Sequence, residues 1–150
     1  MIKPEELRIG DFVKICNSSY MVANGTVCKI VGINAEWSFE NKKGAVNLFH
    51  LDMGKWRLPY SVWCNDIEGI PITKKFLINN NFEETERKIT EDCLEWYVYK
   101  HEASCVEVLY YPQTDDIFAF YCNKRPCKIA YVHELQNFLA SVKENIKITV

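Results

Sequence analysis

The sequence predicts an α+β protein, and three observations carry that expectation. The first third consists of short β-branched and apolar runs separated by turn signals at intervals of about 8–12 residues. The hydrophobic period then changes near residue 70, where a helical segment begins. The last third sets three aromatic-rich, strand-like runs before one long amphipathic stretch. The expected architecture is a small β-barrel-like part over 1–66. A short helix, an antiparallel β-meander and a C-terminal helix packed on it follow over 67–150, all in one compact unit.

Each element has its own reason. Phe12-Val13-Lys14-Ile15 alternates as a half-buried strand should. Asn24-Gly25 is a tight-turn pair leading into 26–33, a β-branched run. Residues 37–39 and 45–49 flank Asn41-Lys42-Lys43-Gly44 as a further hairpin, and 56–63 supplies a last strand that Pro59 pushes to an edge. Four or five such strands suggest a small barrel. Thr73 is placed to cap a helix over 74–78, with Asn79-Asn80-Asn81 as its stop. The charged stretch 83–92 reads as a solvated loop. Residues 96–99, 106–111 and 117–121 form the meander, with Pro112 to Asp116 as its second turn. A helix over about 130–145 and a terminal strand over 146–150 complete the chain. The likeliest seam lies at 64–70.

Composition limits the classes of function. Hydrophobic residues make up 48% and charged residues 25%, the balance of a globular chain and not of a disordered one. No apolar run reaches the ~18–20 residues that span a bilayer. The start, MIKPEELRIGD, lacks the apolar core of a signal peptide, so a cytoplasmic location is expected. Seven cysteines is an odd number, consistent with reduced thiols packed as small hydrophobes. The net charge of −2 exerts no general pull on nucleic acid or anionic lipid.

Residues 131–142, YVHELQNFLASV, concentrate polar groups and test whether they form one site. Successive helical residues rotate by roughly 100°. With Val132 at zero, Tyr131, Leu135, Phe138, Leu139, Val142 and Ile146 fall in an arc of about 120°, the stripe of a docked helix. His133 and Asn137 fall on the opposite face, and Glu134 points elsewhere. The expected reading is therefore a solvated face, with His133 and Asn137 as its candidate partner contacts.

Trp37, Trp56, Tyr60 and Trp63 are the other binding candidates, because aromatic side chains line peptide and base-stacking grooves on small barrels. The favoured reading is that they fill a core too small to close with aliphatics alone. Lys42, Lys43, Lys55 and Arg57 supply a modest basic rim. For metal, Cys122 and Cys127 are separated by four residues, and Cys105 and His101 precede them. Zinc favours tight thiolate pairs in twos, and no second pair matches, so no metal is expected. Cys105 and Cys122 are equally well explained as core residues on paired strands. Cys64, His50 and Asp66 have the residue types of a thiol nucleophile with its base and orienter, but nothing in the sequence brings them together. Asp115 and Asp116 lie in a turn, where aspartate serves the backbone. There is no phosphate loop, dinucleotide fingerprint, nucleophile elbow or metalloprotease helix motif.

Two resemblances add to this reading. RIGDFVKI followed by GTVCKIVGI is similar to the opening hairpin of SH3-like barrels. ELRIGDFV, GIPITKKFLINNNFE, WYVYKHE and YVHELQNFLASV, in that order, resemble a group of small uncharacterised proteins of phages, prophages and mobile elements of gut anaerobic bacteria. The chain departs from that group in its many cysteines. The second resemblance implies an α+β protein from a mobile-element setting, and it brings no catalytic residues; with no signal peptide read, the expected location is the cytosol of the bacterial host. The expectation is a non-enzymatic module, without cofactor, that engages a host or phage protein. Nucleic-acid or nucleotide binding is the first alternative, and a small hydrolase or metal-dependent enzyme the second.

Overall fold

The computed structural model describes residues 4–17, 24–37, 46–52, 60–89, 94–122 and 125–150. Among these residues it is an α+β chain with two antiparallel five-stranded sheets and two α-helices. The chain divides into two compact units, Met1–Ile70 and Pro71–Val150.

The first unit opens with a 3-10 turn, Pro4–Glu6, followed by β1 (Phe12–Ile15), β2 (Val27–Trp37), β3 (Val46–Asp52) and β4 (Tyr60–Trp63). A second 3-10 turn, Cys64–Asp66, leads into β5 (Ile67–Glu68). The sheet order is β4-β3-β2-β1-β5. Among the described residues the sheet is not a closed barrel. β5 returns to β1, with Lys14 opposite Glu68 and Ile15 opposite Ile67, so residues 67–70 belong with the first unit.

Turn chemistry sets this register. Gly25 adopts φ +84°, a left-handed conformation glycine takes without a Cβ clash, and its amide donates to the Ile15 carbonyl at 2.7 Å. That fixes Val13 opposite Cys28, and the alternation of β1 turns Val13 and Ile15 inward. They pack with Leu7, Cys28, Ile30, Leu51, Val62 and Ile67 in one apolar cluster. Gly32 stands opposite His50, where an added Cβ would come within 2.9 Å of the imidazole.

The second unit comprises α1 (Lys74–Asn79), β6 (Phe82–Ile89), β7 (Glu95–His101), β8 (Val106–Tyr111), β9 (Asp116–Tyr121), β10 (Cys127–Ile129) and α2 (Val132–Ser141). Its sheet order is β10-β9-β8-β7-β6, each strand beside its sequence neighbour. The Thr73 hydroxyl caps α1 by accepting from the Phe76 amide at 3.1 Å, and the helix stops at Asn80 with Asn81 at φ +62°. Thr73→Ala should lower stability by about 1 kcal/mol. The check is a lowered urea midpoint with an unchanged slope.

Three expectations are corrected here. Residues 83–89 of the charged stretch 83–92 are not a loop: they belong to the edge strand β6, paired along β7 from Phe82–His101 to Ile89–Glu95, and 90–92 lie outside the described residues. Only Phe82 of this strand is buried, so no alternating apolar signal exists to reveal it. Its charges suit an edge, where they discourage pairing with other chains. The long helix is shorter than expected, ending at Ser141. Residues 146–150 form no strand; Ile148 is buried and Thr149 is held by the Asn80 side chain.

Candidate functional site

β7, β8 and β9 are apolar on both sides, and the two sides fare differently. Tyr99, Val108 and Ala119 stand in one cross-strand row and are each 0% exposed. Tyr110 and Ile117 share that inner side, where they line a recess of about 390 Å³ with Thr73, Lys74 and Tyr131 from the starts of the two helices. The Nζ of Lys74 lies 5.1 Å from the Tyr97 ring centroid and 2.6 Å from Glu84, and the Tyr99 hydroxyl donates to the same carboxylate at 3.2 Å. Burial first of all raises the Tyr99 pKa, as expected of a phenol on the covered side.

The opposite, outer side carries Trp96, Val98, Leu109, Tyr111, Phe118 and Phe120, all half-buried. Trp96 and Tyr111 approach at 6.0 Å between centroids, and Phe118 meets Tyr111 edge-to-face at 6.0 Å. A depression of about 610 Å³ opens between Trp96, Val98, Leu109 and Phe120. Ion pairs frame it: Lys88–Glu86 at 2.6 Å, Lys100–Glu107 at 3.0 Å and, on the far strands, Lys128–Asp116 at 2.5 Å. A hydrogen bond to Glu107 raises the Lys100 pKa, so that rim lysine is cationic at neutral pH. The result is an apolar centre with a rim of both charge signs. Thr85, Glu86, Lys88, Lys100 and Glu107 complete its lining, and the two carboxylates there are each engaged by a lysine.

Of the residues expected to bind, none is among the described lining of this depression. Trp56, Lys42, Lys43, Lys55 and Arg57 fall outside the described residues. The backbones of Trp37 and Tyr60 stand opposite Val46 and Leu51. Trp63 is half-buried at the end of β4, opposite Leu48. Asn137 is half-buried on α2, whereas His133 is 0% exposed, which corrects the solvated position expected of it. The reason is that His133 lies in the first turn of α2, where the chain is enclosed by its own entry. Tyr131 bridges to Pro71, and the Ile72 amide donates to the Ala130 carbonyl at 3.1 Å. Tyr131 precedes the helix with extended backbone, and its ring stacks on the imidazole at 5.7 Å. Glu134 turns back to accept from the Tyr131 amide at 3.0 Å and the Ala130 amide, satisfying the helix start and placing negative charge there.

The four metal candidates do not gather. His101 is buried against the Phe82 ring at 5.1 Å, and its Nδ1 accepts from the Ala103 amide. Cys127 stands opposite Ala119. Cys105 and Cys122 are neighbours, but both are exposed, contrary to their expected place in the core. They sit just beyond the ends of β8 and β9, past the last buried row. Cys28 does pack as a small hydrophobe, and burial, with Asp52 nearby, pushes its thiol up to about 11. His50 pairs with the Ser61 hydroxyl at 2.9 Å, and Asp66 accepts from Asn17 at 2.7 Å.

The outer face was legible in principle. WYVY, VEVLYY and IFAFY have few polar residues at alternate positions, which in an antiparallel sheet means two apolar faces to cover. No protein-family model, curated protein or solved structure matches the chain. Among the described residues no helix is long and apolar enough to cross a membrane.

Proposed function

We propose that this protein is a non-enzymatic binding module of phage or mobile-element origin. It acts in the cytosol of a bacterial host and engages a host or phage protein through the outer face of its second sheet. The observation that carries this reading is the apolar depression between Trp96, Val98, Leu109 and Phe120, framed by ion pairs of both signs. A partner with an aliphatic or aromatic side chain at its centre and mixed charge around it is the complement of such a surface. The origin rests on the four sequence stretches that resemble phage and mobile-element proteins. We read the open sheet of the first unit as SH3-like. Its consecutive antiparallel strands and the return of β5 to β1 after a 3-10 turn favour that reading.

Nucleic-acid binding stands behind this proposal, because the outer-face lysines Lys88, Lys100 and Lys128 each pair with a carboxylate and leave no cationic track there. Binding of single-stranded DNA or RNA that weakens steeply with salt would reverse the order. The direct test is capture from a host lysate on the immobilised full chain, comparing the native protein with Leu109→Arg. The native chain should retain a defined protein, and the variant, folded by circular dichroism, should retain at least about tenfold less, as expected for a charge placed in an apolar contact centre. Recovery of nothing above background in several growth states, or equal recovery by the variant, would overturn the proposal.

A further inference from the structure

Cys105 and Cys122 face each other across the open end of the β8–β9 hairpin. The ladder runs through Glu107 opposite Phe120 and Val106 opposite Tyr121, and one further step sets Cys105 against Cys122. The Cys122 amide donates to the Cys105 carbonyl at 3.2 Å, so the pairing continues to this position. Directly opposed, hydrogen-bonded residues of antiparallel strands have Cα atoms about 5.5 Å apart. A disulfide spans Cα separations of about 4.4–6.8 Å. Cys122 also has φ +50°, which breaks the strand twist at the hairpin end.

Both side chains are exposed, and they are close enough to influence each other. Hydrogen bonding to the Cys122 thiol, followed by its charge, raises the Cys105 pKa; Glu144 adds to this and Lys100 opposes it. The other described cysteines differ. Cys28 is buried, Cys16 is half-buried with its thiol directed to the Asn65 carbonyl, and Cys127 has an alanine across from it.

We propose that Cys105 and Cys122 form a redox-active dithiol site that low-molecular-weight disulfides oxidise to an intramolecular cross-strand disulfide, and that thiols reduce again. One cysteine thiolate attacks a sulfur of the reagent, forming a mixed disulfide and expelling one reagent thiolate. The second cysteine thiolate then attacks the protein sulfur of that mixed disulfide, forming the Cys105–Cys122 bond and expelling the second reagent thiolate. The two cysteine protons pass to the two departing thiolates. Two protein thiols are thereby oxidised to one cystine, and one reagent disulfide is reduced to two thiols.

The test is to incubate the reduced, full-length protein with oxidised glutathione, alkylate the remaining thiols, and map peptides by mass spectrometry. The expected result is a peptide pair linked through Cys105 and Cys122, lighter by two hydrogens than the reduced pair and restored to two alkylated thiols by dithiothreitol. Closing this loop should also raise the melting temperature by about 5 °C or more. Cys105→Ser, folded by circular dichroism, should trap glutathione on Cys122, because the resolving thiol is gone. Cys105 and Cys122 both recovered as free thiols, both as separate glutathione adducts, or linked to other cysteines would each overturn the proposal.

Discussion

Tyr99→Ala should unfold the second unit or bring it to the brink, whereas Trp96→Ala, three residues away on the same strand, should leave it folded and remove the docking surface. The difference follows from the pleat. Positions 96 and 99 of β7 lie on opposite faces, and Tyr99 is 0% exposed in the row it forms with Val108 and Ala119. Truncating a buried aromatic side chain costs about 3–5 kcal/mol, against roughly 4–12 kcal/mol for a unit of this size. The hydroxyl interaction with Glu84 is lost as well. Trp96 is half-buried, and its contact with Tyr111 is worth about 1 kcal/mol. At the centre of an interface, however, a tryptophan contributes about 2 kcal/mol or more, a roughly 30-fold loss of affinity on truncation. Urea unfolding followed by circular dichroism separates the two variants, and titration with the captured partner reads the second effect. Equal destabilisation by both would mean that the outer face is core, and the proposed docking surface would fall.

The same pleat explains what could be read in advance. Strands β7, β8 and β9 announce themselves because aromatic and β-branched residues dominate them, and Thr73 announces α1 because a hydroxyl before an apolar run is a local signal. β6 stays hidden because its reasons are not local. Seven of its eight residues face water, and the strand exists because β7 offers a ladder and charged partners such as Glu95 for Arg87. A hydrophobic period cannot report a strand whose one buried side chain is Phe82 and whose other large apolar residue, Ile89, is exposed. His133 fails for a related reason. A wheel averages a whole helix, but the first turn is shaped by the chain leading into it, here the Pro71–Tyr131 bridge and the stacked Tyr131 ring. Trp37, Trp56, Tyr60 and Trp63 are close in sequence, and closeness in sequence does not distinguish core from surface. The outer row Trp96, Tyr111 and Phe118 becomes a surface only once the inner row has claimed the helices.

Asn80 carries the second large effect, and it too lies beyond local reading. As part of Asn79-Asn80-Asn81 it looks like a simple helix stop. Its side chain, 3% exposed on the whole residue, in fact uses its full hydrogen-bonding capacity. Nδ2 donates to the Phe76 carbonyl at 2.9 Å and the Thr149 carbonyl at 3.0 Å. Oδ1 accepts from the Thr149 amide at 2.7 Å and its hydroxyl at 3.3 Å. One amide thus ends α1 and fastens residues 69 positions away, keeping Ile148 buried. Asn80→Ala should lower stability by about 1–2 kcal/mol, because the buried bond to the Phe76 carbonyl is lost outright while the exposed Thr149 groups can turn to water. The loss should concentrate at the chain end, with hydrogen exchange at the Thr149 amide accelerating more than at β8. Asn80→Asp should be worse at neutral pH, since the carboxylate oxygen that replaces Nδ2 would face the Phe76 and Thr149 carbonyl oxygens. That environment raises the folded-state pKa of the new acid, so the deficit should shrink as pH falls through the carboxylate range and the acid regains a proton to donate. An unchanged unfolding midpoint in Asn80→Ala would mean that the four bonds yield nothing net over water. Burial of Ile148 would then be the force that holds the chain end.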